Sequence, residues 1–317
     1  MTNLSYRILN AESSNYSDQA FKLLRTIGEV DNFQLNREGL LDCLSEYDIL
    51  IVRLGFQIDE EVFRVAKKLK CIVTATTGLD HIDLKLAKDY GVTILSLRGE
   101  IDFLRSIPAT AELTWGLLLA LTRKIPFAFQ SVMEYQWDRE KFRGIDLNNK
   151  KLGILGLGRI GEKVARFGEA FGMQVAAFDV DQNKEFNGVK QIENISDLFS
   201  WANIVSIHIP LNEKNGGLIG QDYLSLIQNG FLINTSRGEI VCEDALIQAL
   251  EKKNLLGAAI DVIHGERRFE IEKSPLIKYA KKNNNLIITP HIGGATFDSM
   301  RSTEVFMAKK LIEFLKN

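Results

Sequence analysis

The stretch "LGILGLGRIGEKVARFGEAFGMQVAAFDVD" at residues 152–181 decides the fold. An apolar strand runs into a GxGxxG pattern made of Gly156, Gly158 and Gly161, and a helical pattern follows at once. In this context the first glycine permits a tight turn, the second lets backbone approach a pyrophosphate, and the third lets the helix pack against the strand. The helix N-terminus adds free N–H groups and a positive dipole end. The stretch therefore predicts a Rossmann βαβ unit that binds a dinucleotide.

The acidic residue Asp179 indicates which dinucleotide is bound. It ends the strand that follows the glycine-rich turn. A carboxylate there accepts hydrogen bonds from the ribose hydroxyls and repels a 2′-phosphate, which favours NAD over NADP. Lys184 lies nearby and would weaken that discrimination. Three glycines alone can simply shape a turn, but strand, helix and acid together favour NAD as the cofactor.

Strand and helix patterns alternate on both sides of this stretch. "DILIVR" (48–53) and "VTILSL" (92–97) precede it, and "NIVSIHI" (203–209) and "GFLINTS" (230–236) follow it. Such alternation predicts parallel sheets with helices on both faces. The expected fold is α/β, with two doubly wound parallel-sheet domains, Rossmann- or flavodoxin-like, and a cleft between them.

A long helical region at residues 106–137 is expected to join the two domains. The closing segment, residues 295–317, has the apolar spacing of a helix that is free to pack back on the first domain.

Composition excludes several classes of partner. The 317 residues carry 39 Lys plus Arg against 41 Asp plus Glu, a net charge of −2, which gives no field for nucleic acid or an anionic membrane. Cys43, Cys71 and Cys242 are scattered, which argues against a disulfide framework and a zinc site, and no other metal site is expected. The N-terminus lacks the pattern of a signal peptide, so a cytoplasmic location is expected.

Charged residues follow three predicted strands of the second domain. Arg237 follows "FLIN", Glu266 lies shortly after "AAID", and His291 follows "LIIT". Because ligands of open α/β sheets bind beyond the carboxyl ends of the strands, these side chains are expected to converge beside the cofactor. Arg can clamp a carboxylate, and His can exchange a hydroxyl proton while a nearby carboxylate favours its imidazolium form. The set suits hydride transfer at a 2-hydroxy or 2-keto acid.

Each of these residues also has a purely structural interpretation. Arg237 alone fits a surface arginine, Glu266 a solvated carboxylate in a charged loop, and His291 a structural histidine. The competing histidines rank lower, since none stands before a Gly-Gly pair at a strand end; they are His81, His208 and His264.

The chain resembles the D-isomer-specific 2-hydroxyacid dehydrogenases, a family that includes phosphoglycerate, glycerate, glyoxylate, lactate and formate dehydrogenases. The resemblance runs from about residue 52 to the C-terminus. It is carried by "TTGLDHIDL", "ATAELTWGLLLALTRK", "LGILGLGRIG", "IHIPLNEKNGGLIG", "INTSRGEIV", "AAIDV" and "TPHIGGAT".

The resemblance implies a role for individual residues. Arg237 would bind the substrate carboxyl group, His291 would be the acid/base, and Glu266 would be its partner. Cofactor contacts are implied for Thr77, Gly156, Gly158, Arg159, Ile160, Gly161, Asp179, Ile209, Thr235, Ser236, Asp261 and Gly293. It also implies a substrate domain of residues 1–100 plus 292–317, an NAD-binding domain of residues 101–291, and a homodimer formed through the helical region at residues 106–140.

The choice of substrate stays open. Substrate contacts are implied for Arg53, Gly55, Thr77 and Gly78, and Arg53 matches an arginine that holds phosphate in phosphoglycerate dehydrogenases, so a short-type enzyme acting on 3-phosphoglycerate is one reading. Hydroxypyruvate or glyoxylate reduction, or a non-catalytic NAD(H) sensor on the same fold, are the alternatives. Two loops depart from the family pattern, and their Arg105, Arg267 and Arg268 either favour a dianionic substrate or are merely solvated.

Overall fold

The computed structural model describes residues 6–183, 186, 188–266 and 271–316. The chain divides into two compact units. Unit 1 is Met1–Ile107 together with Ala295–Asn317, and unit 2 is Pro108–Gly294. The joins lie a few residues beyond residues 100 and 291, the bounds that the resemblance implies.

Unit 1 is built on a five-stranded sheet with the order β2-β1-β3-β4-β5, in which neighbouring strands are parallel. Its strands are β1 (Tyr6–Asn10), β2 (Gly28–Asn32), β3 (Ile49–Val52), β4 (Cys71–Thr74) and β5 (Thr93–Leu95). Its helices are α1 (Asp18–Leu24), α2 (Arg37–Cys43), α3 (Glu60–Val65), α4 (Leu84–Asp89), α5 (Ile101–Arg105) and α13 (Phe297–Phe314), with a short 3₁₀ turn at Leu44–Glu46.

The terminal helix α13 completes unit 1. Its buried stripe includes Met307, Ala308 and Leu311, which pack with Ile8 and Leu24 in one apolar cluster. Thr296 begins the helix by accepting a hydrogen bond from the backbone N–H of Ser299 at 3.1 Å, as an N-cap side chain does. The prediction of a closing helix that packs on the N-terminal sheet is therefore confirmed.

Unit 2 is built on a seven-stranded sheet with the order β12-β11-β10-β9-β6-β7-β8, and its neighbouring strands are again parallel. Its strands are β6 (Lys151–Leu155), β7 (Gln174–Phe178), β8 (Val189–Gln191), β9 (Ile204–Ile207), β10 (Gly230–Asn234), β11 (Leu255–Ile260) and β12 (Leu286–Ile288). Its helices are α6 (Ala109–Thr122), α7 (Ile125–Met133), α8 (Arg159–Ala170), α9 (Ile195–Trp201), α10 (Gln221–Leu224), α11 (Glu243–Glu251) and α12 (Pro275–Ala280), with 3₁₀ turns at Glu140–Phe142, Gly238–Ile240 and Ile271–Lys273.

Successive residues of the central strands of unit 2 are buried on opposite faces of the sheet. Ile154 packs in a cluster with α6 and α8, while Leu155 packs in a second cluster with α9, α10 and α11. Because both faces are covered by helices, the strands contain continuous apolar runs rather than alternating ones. The predicted fold class, two doubly wound parallel-sheet domains, is confirmed for each unit.

The helical region expected at residues 106–137 is divided into separate helices. The break between α6 and α7 falls at Lys124, which adopts a left-handed φ of 54°, and Pro126 follows. Proline lacks an N–H and its ring clashes with the carbonyl four residues earlier, which would be that of Thr122 in a continuous helix. The Thr122 carbonyl instead accepts the N–H of Ile145 at 3.1 Å. The proline therefore explains why one long helix does not form.

Candidate active site

The glycine-rich turn of unit 2 lies between β6 and α8. Gly156 has a φ of 96°, a region that favours glycine, and it follows the last residue of β6. A Cβ at Gly161 would stand 2.2 Å from the Gly156 carbonyl oxygen. The turn and the close helix approach thus depend on these two glycines for different reasons.

Gly158, unlike Gly156 and Gly161, borders open space. It is the N-cap of α8, and a Cβ built on it meets no atom of the described residues within 4 Å. The first N–H groups of a helix have no acceptor within the helix, so those of Arg159, Ile160 and Gly161 border an open space beside the turn. Burial lowers the pKa of the Arg159 guanidinium. An open space next to free N–H groups fits the pyrophosphate of a dinucleotide.

Asp179 stands directly after β7, beside the glycine-rich turn. Its carboxylate accepts the N–H of Leu157 at 2.8 Å and the N–H of Asp181 at 3.0 Å. Its side chain is buried and its orientation is held by these contacts. Both oxygens of the carboxylate are thus held in place beside the glycine-rich turn. Lys184 lies outside the described residues.

Arg237, Asp261 and His291 follow β10, β11 and β12, which are neighbours in the sheet. The register pairs Asn234 with Ile260 and Ile260 with Ile288, so the three strands end at one edge. The sheet order thus places the residues after these strands side by side, as the strand-end argument predicted.

The His291 side chain meets Glu266. The imidazole Nδ1 and the Glu266 carboxylate form a hydrogen bond, and both side chains are about four-fifths buried. His291 adopts a left-handed φ of 53°, and its N–H donates to the carbonyl oxygen of Asp261 at 2.8 Å. A non-glycine residue in that conformation is uncommon and occurs at functional sites. The turn aims the ring at the carboxylate.

Asp261 holds the turn that carries His291. One carboxylate oxygen accepts the Thr289 hydroxyl at 2.5 Å and the Ile292 N–H at 2.9 Å, and the other accepts the Gly293 N–H at 2.7 Å. Burial raises the pKa of the Asp261 carboxyl, and these hydrogen bonds oppose the shift. Asp261 therefore positions the segment from Thr289 to Gly293, a role that the sequence did not indicate.

Two further acids hold the loop that carries Glu266. Glu243 accepts the His264 N–H at 2.9 Å, and Glu239 accepts the Gly265 N–H at 3.2 Å. Burial raises the pKa of the Glu243 carboxyl. The sequence reasoning missed both residues, although an acidic residue soon after Arg237 was visible in "SRGEIVCED".

Arg237 and the residues before it form hydrogen bonds with neighbouring groups of unit 2. The Arg237 guanidinium donates to the Ser236 carbonyl at 2.8 Å, and the Ser236 hydroxyl donates to the Ile207 carbonyl at 3.0 Å. The hydroxyl groups of Thr235 and Thr114 lie 2.8 Å apart. Ile209, expected to contact the cofactor, follows β9 and packs partly buried beside the Gly156 turn.

The other histidines have different surroundings. Desolvation lowers the pKa of His208 to about 3, and its ring contacts the Ser206 hydroxyl at 2.8 Å. His81 is buried in unit 1 beside Thr74, and His264 is exposed. Among the four histidines, His291 combines partial exposure with a carboxylate partner.

The substrate contacts expected in unit 1 lie after β3 and β4. Thr77 and Gly78 are partly exposed, and the Gly78 carbonyl accepts the Thr76 hydroxyl at 2.8 Å. Arg53 pairs with Glu304 of α13 at 2.5 Å, and the N–H of Gly55 donates to Glu12 at 2.9 Å.

The sequence reasoning missed Glu12 and Glu304. Glu304 falls in the apolar stripe of α13, three residues before Met307, and an acid in such a stripe is a signal of a buried partner. Of the arginines in the divergent loops, Arg105 is exposed beside Asp102 at 3.5 Å, while Arg267 and Arg268 lie outside the described residues.

Two absences hold for the described part of the chain. Within these residues, no group of three or more His, Cys, Asp or Glu side chains is placed to hold a metal ion. No helix there has the length and apolar character needed to cross a lipid bilayer.

Comparison with known proteins supports one family. Residues 115–293 match the model described as D-isomer specific 2-hydroxyacid dehydrogenase, NAD binding domain. The chain is 34% identical to a D-3-phosphoglycerate dehydrogenase of Methanocaldococcus jannaschii, over 94% of this chain and 56% of that protein. It is 31% identical to a hydroxypyruvate reductase of Thermotoga maritima, over 90% of this chain and 91% of that protein.

A solved structure extends the similarity to both units. The chain matches a D-lactate dehydrogenase of Aquifex aeolicus, crystallised with NAD and lactic acid, with a TM-score of 0.82 and 25% identity over 98% of this chain and 95% of that one. The chain spans about half of the length of the D-3-phosphoglycerate dehydrogenases that it matches.

Proposed function

The chain belongs to the D-isomer specific 2-hydroxyacid dehydrogenase family, and on that premise we propose that it is an NAD-dependent oxidoreductase. It transfers a hydride between nicotinamide and a D-2-hydroxy acid or the matching 2-keto acid. The observation that carries the proposal is the His291–Glu266 pair at the sheet edge where Arg237 also emerges. A proton carrier and a carboxylate clamp are the two groups that this reaction requires from the protein.

NAD fits the residues of the glycine-rich turn. The space beside Gly158 would hold the pyrophosphate, the first N–H groups of α8 would donate to it, and Asp179 would accept the ribose hydroxyls. When bound, the cofactor supplies or accepts the hydride. Thr235, Ser236 and Ile209 line the same sheet edge and are proposed as further contacts.

The protein's own side chains handle the substrate and its proton. Arg237 binds the carboxylate in a bidentate pair and polarises the neighbouring carbonyl. His291 takes the hydroxyl proton during oxidation and returns it during reduction. Because its Nδ1 contacts Glu266, the Nε2 atom is the ring nitrogen left to exchange the proton with the substrate.

The test is NADH oxidation with a panel of 2-keto acids, comparing the wild type with His291→Ala. We expect wild-type turnover and a loss of about 10²- to 10⁴-fold in kcat for the variant, because general acid catalysis contributes that much. NADH binding, followed by fluorescence, is expected to persist. The matched control is His264→Ala, since His264 is exposed and should leave turnover unchanged.

The same experiment separates an enzyme from a sensor. Tight NADH binding without turnover of any acid in the panel would reject the oxidoreductase and support a non-catalytic NAD(H)-sensing protein. Presence of Arg237, Glu266 and His291 together supports the enzyme.

The panel also distinguishes the two substrate candidates. Similarity to D-3-phosphoglycerate dehydrogenases supports 3-phosphoglycerate, and similarity to a hydroxypyruvate reductase supports hydroxypyruvate or glyoxylate. Thr77 and Gly78 are proposed to contact the substrate in either case, since they follow β4 at the carboxyl edge of the sheet.

We also propose a cytoplasmic homodimer. The support for the dimer is a set of exposed apolar side chains on α7 and the segment after it, at Ile125, Phe129, Val132, Met133, Tyr135 and Trp137.

The support for the cytoplasmic location is that Cys43, Cys71 and Cys242 are all free thiols. Nucleic acid and membrane are not proposed as partners, because the net charge is only −2.

A further inference from the structure

The end of β3 forms a small anion-binding position that the chain itself fills. The N–H groups of Arg53 and Gly55 point at the two oxygens of the Glu12 carboxylate, at 2.5 and 2.9 Å. Backbone N–H groups that converge in this way make a concavity suited to a carboxylate or a phosphate. Glu12 follows β1, the neighbour of β3 in the sheet, so the occupant comes from the adjacent strand end.

The side chain of Arg53 is also engaged. Its guanidinium donates to Glu304 at 2.5 Å and to the Ser14 carbonyl at 2.7 Å. Glu304 is 2% exposed and accepts the Ser17 N–H at 2.7 Å as well. Pulling Arg53 away toward a ligand would leave a buried carboxylate without its cation, which is strongly unfavourable.

These contacts conflict with a phosphate ligand at Arg53. A phosphate would have to displace the Glu12 carboxylate from the N–H groups and compete with Glu304 for the guanidinium. The two carboxylates would also repel its negative charge. An acid with an uncharged hydroxyl or methyl group in place of the phosphate brings no negative charge to these two carboxylates.

We propose that Glu12 is a specificity-determining residue, which selects 2-hydroxy and 2-keto acids that lack a phosphate. The inference rests on the proposed oxidoreductase function and on the substrate contacts that the family resemblance implies for Arg53 and Gly55.

A matched pair of substrates tests the inference. Hydroxypyruvate and 3-phosphohydroxypyruvate differ only by the phosphate group. We expect the wild type to have a higher kcat/KM for hydroxypyruvate, and Glu12→Gln to shift the ratio toward the phosphorylated acid by about tenfold or more, since one charge repulsion is removed. The matched control is Glu29→Gln, which removes the same charge from an exposed position on β2 and should leave the ratio unchanged.

A second variant, Glu12→Asp, keeps the test informative if Glu12→Gln does not fold. Glu12→Asp keeps the charge but shortens the side chain by one methylene, so that it no longer reaches both N–H groups. We expect it to retain most of the wild-type discrimination while losing some thermal stability. If hydroxypyruvate is not turned over, the same ratio is taken from the inhibition constants of the two acids against the best acid of the panel.

The outcomes separate the inference from the proposed function. Wild-type preference for the phosphorylated acid, or a ratio that does not change in Glu12→Gln, would overturn the role of Glu12 and leave the oxidoreductase intact. Absence of turnover with every acid would reject the oxidoreductase itself.

Discussion

His208 and His291 each follow a strand of the seven-stranded sheet, but their neighbours give them different chemistry. His208 contacts a serine hydroxyl, and desolvation lowers its pKa to about 3, so it is neutral at physiological pH. The Nδ1 atom of His291 contacts the Glu266 carboxylate instead, and its side chain is partly exposed. At the scale of the residue, burial keeps His208 neutral, whereas the partly exposed His291 has a carboxylate partner.

His208 is expected to make the protein sensitive to acid. Its folded pKa, about 3, lies below the ordinary value of 6.5, so the unfolded chain binds the extra proton between those values. The free energy of unfolding therefore falls as pH drops below 6.5, by at most about 1.4 kcal/mol per pH unit from this group. We expect urea unfolding to show that the free energy of unfolding of His208→Gln falls less between about pH 6.5 and about pH 4.5 than that of the wild type.

The control for this prediction is His264→Gln, at an exposed histidine. That variant should follow the wild-type pH dependence. An equal acid sensitivity of His208→Gln and the wild type would show that the acid loss comes from other groups.

Asp179 is expected to set the preference for NADH over NADPH. Its carboxylate is oriented by the N–H groups of Leu157 and Asp181. Asp179→Ala removes both the acceptor for the ribose hydroxyls and the repulsion of a 2′-phosphate, so the ratio of kcat/KM for the two cofactors should fall by about tenfold or more. Asp181→Ala, at an exposed neighbour, should leave the ratio near the wild-type value. A ratio unaffected by Asp179→Ala would contradict the assignment.

At the scale of the element, two glycines of the β6–α8 turn have different roles, one in packing and one in ligand binding. Gly161 allows α8 to approach the Gly156 carbonyl, whereas Gly158 borders open space. One glycine therefore contributes to packing and the other to the approach of a ligand.

Alanine substitutions at Gly161 and Gly158 should affect different properties, the stability of the fold in one case and NADH binding in the other. Gly161→Ala places a methyl group 2.2 Å from the Gly156 oxygen and should lower the free energy of unfolding by about 1–3 kcal/mol. Gly158→Ala meets no described atom and should keep the wild-type stability while weakening NADH binding. Thermal unfolding and fluorescence titration measure the two effects, and equal losses of stability in both variants would contradict the distinction.

At the scale of the whole molecule, each unit has its own sheet and its own apolar clusters on both faces. Large exposed apolar side chains gather on α7 and the segment after it, where Phe129 is 65% and Trp137 is 89% exposed. Such a gathering supports the proposed homodimer surface.

A charge introduced into this surface is expected to disrupt the proposed dimer. Phe129→Glu places a charge in the apolar patch and should convert a dimer into monomers, as measured by sedimentation velocity. Phe297→Glu, at a residue that is 77% exposed in unit 1, should remain dimeric. A wild type that is monomeric at micromolar concentration would reject the dimer.

Much of the fold and part of the site could be predicted from local patterns. The βαβ alternation, the GxGxxG turn and the residues after strand ends are features of short segments, and parallel strands bring their carboxyl ends to one edge whatever the loops contain. The helical region expected at residues 106–137 is present, but its division into α6 and α7 at Pro126 was not foreseen. Asp261 was expected to contact the cofactor, and its hold on the His291 turn was not foreseen, since that role depends on hydrogen bonds between β11 and β12.

By itself the sequence determined the doubly wound class, the dinucleotide turn and the candidates Arg237, Glu266 and His291, because each depends on periodicity or on neighbours along the chain. Tertiary structure alone decided which side chains pair. His291 and Glu266 are 25 residues apart, and Arg53 and Glu304 are 251 apart. No periodic pattern relates such positions; packing brings them together, and burial makes an unpaired charge unfavourable. The same packing gave Arg53 a carboxylate partner, where the family resemblance had left a phosphate contact or an exposed arginine open.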